Sequence, residues 1–313
     1  MKVGSFDRTA TFQKLVSPSG YYAWLVRPKS DRECDNEVLA LEIEAIHEQS
    51  RGTYGSPRIT HELHEQGRQV SKKRVAERMK ERGIQGKKRR RFRKTTDSTH
   101  GLPVPPNLLA RDFTQDAPNK VWVTDVTAIY TATGWLYLAV ILDLFSRSVV
   151  GWATSSHNDT NLALAALDEA VATRKPPPGL IHHSDRGSPY ASEEYRKRLD
   201  SYCMVASMSR TGDCWDNAVA ESFFATIKCD ELDHQWHPSQ AAAHAAIDDY
   251  ITNFYNPVRR HSTLGYLSPD EFELRSQVNR MAAWPTYQQR PSSRGKSAAR
   301  LPWFGLVWWT SRK

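Results

Sequence analysis

The sequence is short of cysteine and of long apolar stretches, and each shortage excludes a class of protein. Its cysteines form no CxxC pair and no Cys/His pattern with zinc-finger spacing, so neither a disulfide framework nor a structural zinc site is expected. There are four: Cys34, Cys203, Cys214 and Cys229. No apolar run approaches the roughly 20 residues that span a bilayer, and the N-terminus lacks the apolar core of a signal peptide. We therefore expect a cytoplasmic protein without a membrane partner.

Acidic residues are too few to balance the basic ones, but only in the first third of the chain. Residues 1–100 hold 22 Lys and Arg against 13 Asp and Glu, a net charge of +9, whereas residues 101–313 hold 21 against 22. A basic segment on a near-neutral body indicates a polyanion-binding module attached to a larger domain. Nucleic acid is the commonest such partner, and a membrane surface is the lesser alternative.

Three short helices are predicted in this basic part. Apolar residues with helical spacing indicate a helix over residues 36–49. A Ser-Pro pair begins a second helix that ends at Gly67, and Ser71 caps a third that ends at Gly83. A tight turn before a basic last helix is typical of a helix-turn-helix module, whose last helix enters the major groove of DNA. A helical bundle with a charged face is the alternative. Five basic side chains of this helix are expected to be available to solvent or a ligand: Lys72, Lys73, Arg74, Arg78 and Arg82.

A run of basic residues follows, with seven basic side chains among the eight residues 87–94. Such a block repels itself and stays extended without a counter-charge, so contact with DNA phosphates is expected. A solvated linker is the alternative. The expected contacts are Lys87, Lys88, Arg89, Arg90 and Arg91. The module with its basic tail is thus assigned to residues 36–94, after an N-terminal extension over residues 1–35. Residues 95–118, rich in Pro, Ser and Thr, are expected to be a linker.

From Lys120 onward the pattern changes from helices to strands. Three β-branched and aromatic runs, residues 121–130, 135–145 and 146–155, predict an antiparallel meander. Helices and strands then alternate: helices over 161–173, 193–201, about 215–228 and 238–254, and strands over 180–185 and 204–209. The main domain, residues 119–275, is therefore expected to have an α/β fold, a mixed five-stranded sheet with helices on both faces. Residues 276–313 are left as a C-terminal tail of unknown role.

Three acidic residues stand out in this pattern. Asp125 lies inside an otherwise apolar strand, where an unpaired charge is costly. Asp185 ends the fourth strand, and Glu221 is predicted in the middle of a helix. Each alone is a weak signal, because a buried Asp is often only a hydrogen-bond acceptor. Together they could hold two Mg²⁺ or Mn²⁺ ions about 4 Å apart, an arrangement that stabilises both oxygens of a phosphodiester transfer. Without metal they would repel one another, and at least one pKa would rise.

Several motifs carry a resemblance to a known family. They are VSPSGYYAW, SRGTYGSPRI, VWVTDVTAIYT, GWLYLAVILDLFSRSVVGWA, GLIHHSDRGSPYAS, SMSRTGDCWDNAVAESFF and FYNPVRRHSTLGYLSP. With them the chain, over about residues 15–275, resembles the retroviral-integrase superfamily of DDE transposases, and within it the second-reading-frame transposases of bacterial insertion sequences. That family has 35 residues between its second Asp and its Glu, which is the spacing between Asp185 and Glu221. Pro189 departs from the family, which usually has Gln there.

The resemblance implies a ribonuclease-H-like fold with Asp125, Asp185 and Glu221 as catalytic metal ligands. It implies an enzyme that cuts transposon ends to free a 3′-OH, which then attacks another phosphodiester without a covalent protein–DNA intermediate and without ATP. The expected partners are double-stranded DNA, as terminal inverted repeats and as target, and further copies of the chain on DNA. A protein from an upstream reading frame, alone or fused by frameshifting, is also expected.

The family pattern has a basic residue seven positions after the Glu, which is Lys228 here. Seven residues come within about 20° of two full helical turns, so Lys228 shares the face of Glu221. Asn217, four residues before Glu221, faces the same way. We expect Lys228 to contact a DNA phosphate and Asn217 a base or sugar; a surface lysine and a helix-start asparagine are the alternatives. Three further residues either contact DNA or brace the last helix: Arg259, Arg260 and His261.

Other readings of the core remain open. A nuclease of the ribonuclease H fold is one alternative function, and a catalytically inactive copy that represses by occupying DNA ends is another. Asp143 is expected to have a structural role. One of His182 and His183 is expected to pack beneath the site, because imidazole suits zinc better than magnesium.

Overall fold

A computed structural model describes residues 17–88, 105–109, 113–209 and 217–282. The described residues up to Arg275 belong to one compact unit, and Ser276 begins a second. Several predictions fall outside the described residues: residues 1–16 of the N-terminal extension, residues 95–104 and 110–112 of the linker, the tail after residue 282, and the basic residues Arg89, Arg90 and Arg91.

The described chain begins with four helices, α1 (Pro18–Leu25), α2 (Asp31–Gln49), α3 (Ser56–Glu65) and α4 (Lys72–Glu81). The three predicted helices are present, but α2 begins at Asp31 rather than residue 36. The reason is a capping box, in which the Ser30 hydroxyl accepts from the Glu33 N–H and the Glu33 carboxylate accepts from the Ser30 N–H. Ser71 caps α4 as predicted. The sequence analysis did not predict α1, which Ser17 caps.

The main domain contains one sheet of five strands: β1 (Val121–Thr131), β2 (Gly134–Asp143), β3 (Val149–Ser155), β4 (Ile181–Ser184) and β5 (Val205–Met208). Their order is β3-β2-β1-β4-β5. The first three strands pair antiparallel, and β4 pairs parallel with both β1 and β5. The predicted mixed five-stranded sheet is therefore confirmed.

Helices cover both faces of this sheet. The helices of this part of the chain are α5 (Thr160–Arg174), α6 (Ser188–Ala191), α7 (Glu193–Ser201), α8 (Ala218–Asp230), α9 (Gln240–Tyr250) and α10 (Pro269–Ala282). Of these, α5, α7, α8 and α9 lie against the strands. Side chains alternate between faces along a strand. Accordingly, Trp122 packs in one buried cluster with residues of α5 and α7, while its neighbour Val123 packs in another with residues of α8. Neither α6 nor α10 was predicted. A π-helical segment, Ile251–Tyr255, continues α9, and two 3₁₀ turns cover Leu232–His234 and Ser262–Leu264.

The N-terminal helices pack directly against the main domain. Leu39 and Ile59 of the helices share a buried cluster with Ile247 of α9. Tyr54, which is 1% exposed, donates to the carbonyl of Val258 (3.2 Å) and accepts from the N–H of Arg260 (2.8 Å). The helix-turn-helix region is thus fixed to the segment that follows α9. Within the described residues, no helix is both long and apolar enough to cross a membrane.

Candidate active site

Two of the three predicted catalytic acids lie side by side. The parallel pairing of β1 with β4 places Thr124 opposite Ser184. Asp125 and Asp185 are the next residues along these two adjacent segments, and adjacent strands lie about 4.8 Å apart. Asp125 alternates with Thr124 and therefore emerges on the face of the sheet that α8 covers. The sheet topology alone brings these two carboxylates together.

The charges of the three acids affect one another. Burial raises the pKa of Asp125 well above its ordinary value, the charge of Asp185 raises it further, and the charge of Glu221 adds a smaller increase. A hydrogen bond from the Val126 N–H and the positive charge of Lys228 act in the opposite direction. The prediction that at least one carboxyl of the group has a raised pKa is confirmed.

Glu221 differs from its prediction. It is exposed and lies in the first turn of α8, not in mid-helix, because the helix begins at Ala218. In the described part of the chain, no three His, Cys, Asp or Glu side chains are arranged to hold a metal ion. The structure places Asp125 beside Asp185, and the charge of Glu221 lies near enough to raise the pKa of Asp125.

The turn after β4 fixes the carboxylate of Asp185. The Gly187 N–H donates to Asp185 Oδ1 (2.8 Å), and a Cβ atom added to Gly187 would lie 2.9 Å from that oxygen. Only glycine therefore fits this approach without a shift of the carboxylate. Pro189, the departure from the family pattern, occupies the first turn of α6, where proline is well tolerated. The sequence analysis did not identify Gly187, although its position two residues after Asp185 was the available signal.

A buried polar layer supports the two aspartates. The Tyr190 hydroxyl lies 3.2 Å from the Thr124 hydroxyl, and burial, together with the nearby Tyr195 and the two aspartates, raises the pKa of Tyr190 well above its ordinary value. The sequence analysis missed Tyr190, because a tyrosine in a turn motif gives no sign of facing the acids.

One of the two histidines before Asp185 was predicted to pack beneath the site. In the structure both His182 and His183 are buried. His182 Nε2 lies 3.2 Å from the Tyr195 hydroxyl, and burial lowers the pKa of His182 to about 3. His183 makes hydrogen bonds with Ser207 (2.9 Å) and Ser209 (3.2 Å). Both rings therefore have structural partners.

Asn217 and Lys228 connect α8 to β1. The Asn217 amide donates to the Thr124 carbonyl (3.3 Å). Asn217 is only 5% exposed, which leaves little surface for the predicted base or sugar contact. Lys228 is half-buried and donates to the Thr127 hydroxyl (2.6 Å). Burial lowers the pKa of Lys228, while the charges of Asp233 and Asp125 act to raise it. Lys228 thus holds its ammonium group close to the candidate site.

The predicted DNA-binding residues of α4 divide into two groups. Lys72 and Lys73 are exposed. The other three have acidic partners: Arg74 with Asp35 (2.7 Å), Arg78 with Glu81 (2.6 Å) and Arg82 with Glu44 (3.1 Å). Arg82 nevertheless remains exposed, and Arg74 and Arg78 are partly exposed, so the prediction that these three contact a ligand stays a prediction.

The basic residues after α4 also divide. Lys87 donates to the carbonyl of Asp230, which ends α8, whereas Lys88 is exposed. Lys87 is therefore engaged in holding the start of the basic run against the main domain.

Arg259, Arg260 and His261 act as braces. Arg259 is 5% exposed and donates to Asp230 (2.6 Å), and Arg260 is 8% exposed and forms a two-point ion pair with Glu62 of α3. His261 stacks edge-on against Tyr255, with ring centroids 5.0 Å apart. Of the two roles that the sequence left open, burial and pairing favour bracing, and the prediction that these residues contact DNA stays a prediction.

Asp143 has the structural role that was expected. It is fully buried and accepts hydrogen bonds from the N–H groups of Asn119 (2.6 Å) and Phe145 (2.8 Å). It therefore fixes the turn after β2 and takes no part in the candidate site.

Comparisons with known proteins agree with this architecture. The family model of an HTH-like domain matches residues 33–92, and two models of an integrase core domain match residues 115–214 and 202–269. The chain is 45% identical over 268 residues to a 31 kDa protein of the insertion element IS600 from Shigella sonnei, covering 86% of this chain and 98% of that protein. It is 40% identical over 265 residues to the transposase InsF for insertion sequence IS3A from Escherichia coli K12, covering 82% and 90%.

Solved integrases give weaker similarities. The catalytic core domain of HTLV-2 integrase in complex with magnesium is 20% identical, with a TM-score of 0.40, and the match covers 50% of this chain and 97% of that one. The simian T-cell lymphotropic virus intasome is 15% identical, with a TM-score of 0.42, over 82% and 80%. The identity and coverage of the curated relatives show that this chain belongs to the family of insertion-sequence transposases that includes InsF of IS3.

Proposed function

We propose that this transposase cuts the ends of its insertion sequence to free a 3′-OH and joins that end to DNA by transesterification. Asp125, Asp185 and Glu221 are the proposed metal ligands. The single observation that carries the assignment is the adjacent position of Asp125 and Asp185 at the edge where β4 ends.

The donor set suits a hard divalent cation. Two carboxylates on neighbouring strands offer the oxygen ligands that Mg²⁺ prefers, and their mutual repulsion, which contributes to the raised pKa of Asp125, favours a cation between them. Glu221 completes the proposed set from the first turn of α8. Two bound Mg²⁺ or Mn²⁺ ions would activate the attacking oxygen and stabilise the leaving oxygen.

The protein's own residues bind and orient the DNA. Lys228, beside the acids, is proposed to contact the phosphate backbone near the reacting bond. Lys72, Lys73 and Lys88 are exposed, and we propose that they contact phosphates farther along the duplex, with α4 in the major groove. Each of these lysines adds to the affinity for DNA. Because phosphates lie along the whole duplex, such contacts fix the position of the protein on DNA and not its sequence preference.

The proposed partners follow from the family. They are terminal inverted repeats and target DNA as double-stranded substrates, further copies of this chain on DNA, and a protein from an upstream reading frame, alone or fused by frameshifting. The names of the relatives, which refer to insertion sequences, support the first of these. We propose that the protein works in the cytoplasm, associated with DNA.

Strand transfer from a pre-cut inverted-repeat end tests this function. With Mg²⁺, the wild type should join the end to a second duplex, and Asp185→Asn should abolish joining while it leaves DNA binding unchanged. Asp200→Asn, at an exposed acid of α7, is the matched control and should keep full activity. Shortened strands without joined product would indicate a nuclease, binding without any cleavage would indicate an inactive repressor copy, and unchanged joining by Asp185→Asn would reject the assignment of Asp185.

A further inference from the structure

Two side-chain hydrogen bonds fasten α8 to β1. At the start of the helix, the Asn217 amide donates to the Thr124 carbonyl (3.3 Å). Near its end, the Lys228 ammonium group donates to the Thr127 hydroxyl (2.6 Å). On each element a candidate metal ligand lies between the two attachment points. The distance between strand and helix at the site is therefore bounded on both sides by these contacts.

The acceptor of the second contact is Thr127, a residue to which neither the sequence analysis nor the proposed function gives a role. Thr127 follows Asp125 by two positions, so both side chains emerge on the same face of β1. Lys228 follows Glu221 by seven positions and shares its face of α8. The Thr127 hydroxyl thus lies between the strand that carries one acid and the helix that carries another.

The chemistry of the two groups suits a positioning role. A lysine has a flexible four-carbon stem and loses considerable rotamer freedom when its end is fixed. Threonine is stiff at χ1 because it is branched at Cβ, so its hydroxyl is a fixed acceptor on the strand. An ammonium group has three donors, and a bond to Thr127 is therefore compatible with a simultaneous contact to a phosphate oxygen.

We propose that Thr127 is a positioning residue for DNA strand transfer, whose hydroxyl holds the Lys228 ammonium group beside the catalytic acids and directed at the DNA backbone. This inference rests on the proposed function, in which Lys228 contacts a phosphate. In this proposal Thr127 contacts neither the DNA nor a metal ion. It acts only through Lys228.

The test compares Thr127→Val, which keeps the shape and removes the hydroxyl, with Thr127→Ser, which keeps the hydroxyl. Loss of a hydrogen bond to a charged group should lower the strand-transfer rate of Thr127→Val about tenfold, whereas Thr127→Ser should stay within about threefold of the wild type. Thr154→Val is the matched control, a threonine of β3 that makes its hydrogen bond to His244, and it should keep the wild-type rate. Thermal unfolding of each variant verifies the fold.

A double-mutant cycle with Lys228→Gln identifies the route of the effect. If Thr127 acts through Lys228, Thr127→Val should cause no further loss in the Lys228→Gln background. A further tenfold loss there, or a Thr127→Val variant as active as the wild type while Lys228→Gln is impaired, would overturn the inference and leave the proposed function intact. Full activity and DNA affinity of Lys228→Gln would instead overturn the proposed role of Lys228, and this inference with it.

Discussion

At the scale of single residues, the turn after β4 depends on the absence of a side chain at Gly187. A Cβ atom there would lie 2.9 Å from Asp185 Oδ1, an oxygen that the Gly187 N–H holds at 2.8 Å. Gly187→Ala should therefore displace the carboxylate while the rest of the fold persists. A displacement of about 1 Å at a catalytic group can reduce the rate about 100-fold.

A magnesium titration of strand transfer measures this effect. Gly187→Ala should have a lower maximal rate and require more Mg²⁺ for half of it, with a thermal unfolding midpoint close to that of the wild type. An unchanged magnesium requirement together with an unchanged rate would contradict the role assigned to this turn.

His182 makes the stability of the fold depend on pH. Its pKa is about 3 in the folded protein because burial disfavours the charged ring, whereas an unfolded histidine titrates near 6.5. As the pH falls below about 6.5, the unfolded chain takes up a proton that the folded chain does not, so stability present above that pH is lost at up to about 1.4 kcal/mol per pH unit.

Denaturant unfolding at pH 7 and pH 5 checks the sign. The wild type should lose more unfolding free energy between these values than His182→Gln, which has no group to titrate there. Equal losses for the two proteins would show that His182 does not remain neutral in the folded state.

The sequence revealed the candidate catalytic acids more readily than the arginines that form ion pairs between elements. Asp125 was conspicuous because it interrupts an apolar strand, but nothing in the sequence distinguished a DNA-binding Arg260 from a bracing one. Its partner Glu62 lies 198 positions away, and only the folded chain brings the two together. Arg74 gave the same difficulty, since its partner Asp35 belongs to a different helix.

At the scale of elements, caps and periodicity predicted the longer helices that have an apolar buried stripe and missed α1, which has none. In α1 no residue is buried, and Tyr22 and Trp24 are 66% and 65% exposed, so there is no apolar stripe for a pattern to reveal. The four-residue helix α6 is too short to show a period. The strands of the meander were well predicted because their runs of β-branched and aromatic residues are long and mostly buried.

The ion pair between Arg260 and Glu62 joins α3 to the segment after α9. Arg260 is 8% exposed, and removal of the charge on Glu62 would leave the buried guanidinium group with only Glu271, 3.8 Å away, as a counter-charge. Glu62→Gln should therefore lower the free energy of unfolding by about 3 kcal/mol. Glu65→Gln is the matched control, because Glu65 of the same helix pairs with Arg275 at 3.7 Å through largely exposed side chains, and it should cost less than about 1 kcal/mol.

Urea unfolding of both variants provides the comparison. Similar free energies for Glu62→Gln and Glu65→Gln would mean that the pair contributes little to the attachment of the helix-turn-helix region. The packing of Tyr54 would then carry that attachment.

At the scale of the whole molecule, the order of the sheet could be anticipated, but the attachment of the N-terminal helices could not. The meander followed by alternating helices and strands predicted a mixed sheet, and the parallel pairing of β1 with β4 explains why Asp125 and Asp185 meet. The packing of Ile59 near Ile247 involves residues far apart in the chain, and no local pattern encodes such a contact.

The uneven charge of the chain predicts how salt affects DNA binding. Each lysine that contacts a phosphate contributes about 0.9 to the slope of log affinity against log salt concentration. The double variant Lys72→Gln/Lys73→Gln should therefore reduce the magnitude of that slope by about 1.8, without loss of fold, because both side chains are exposed. Binding of an inverted-repeat duplex at several salt concentrations measures it, and an unchanged slope would remove α4 from the DNA interface.

The central claim is that Asp125, Asp185 and Glu221 share divalent metal ions, and removal of the charge on Glu221 tests it most directly. The decisive measurement is Mn²⁺ binding, followed by electron paramagnetic resonance, to the wild type and to Glu221→Gln on a pre-cut inverted-repeat end. We expect two ions bound per wild-type active site and at least one lost in Glu221→Gln. Equal numbers of ions, bound equally tightly by both proteins, would contradict the account.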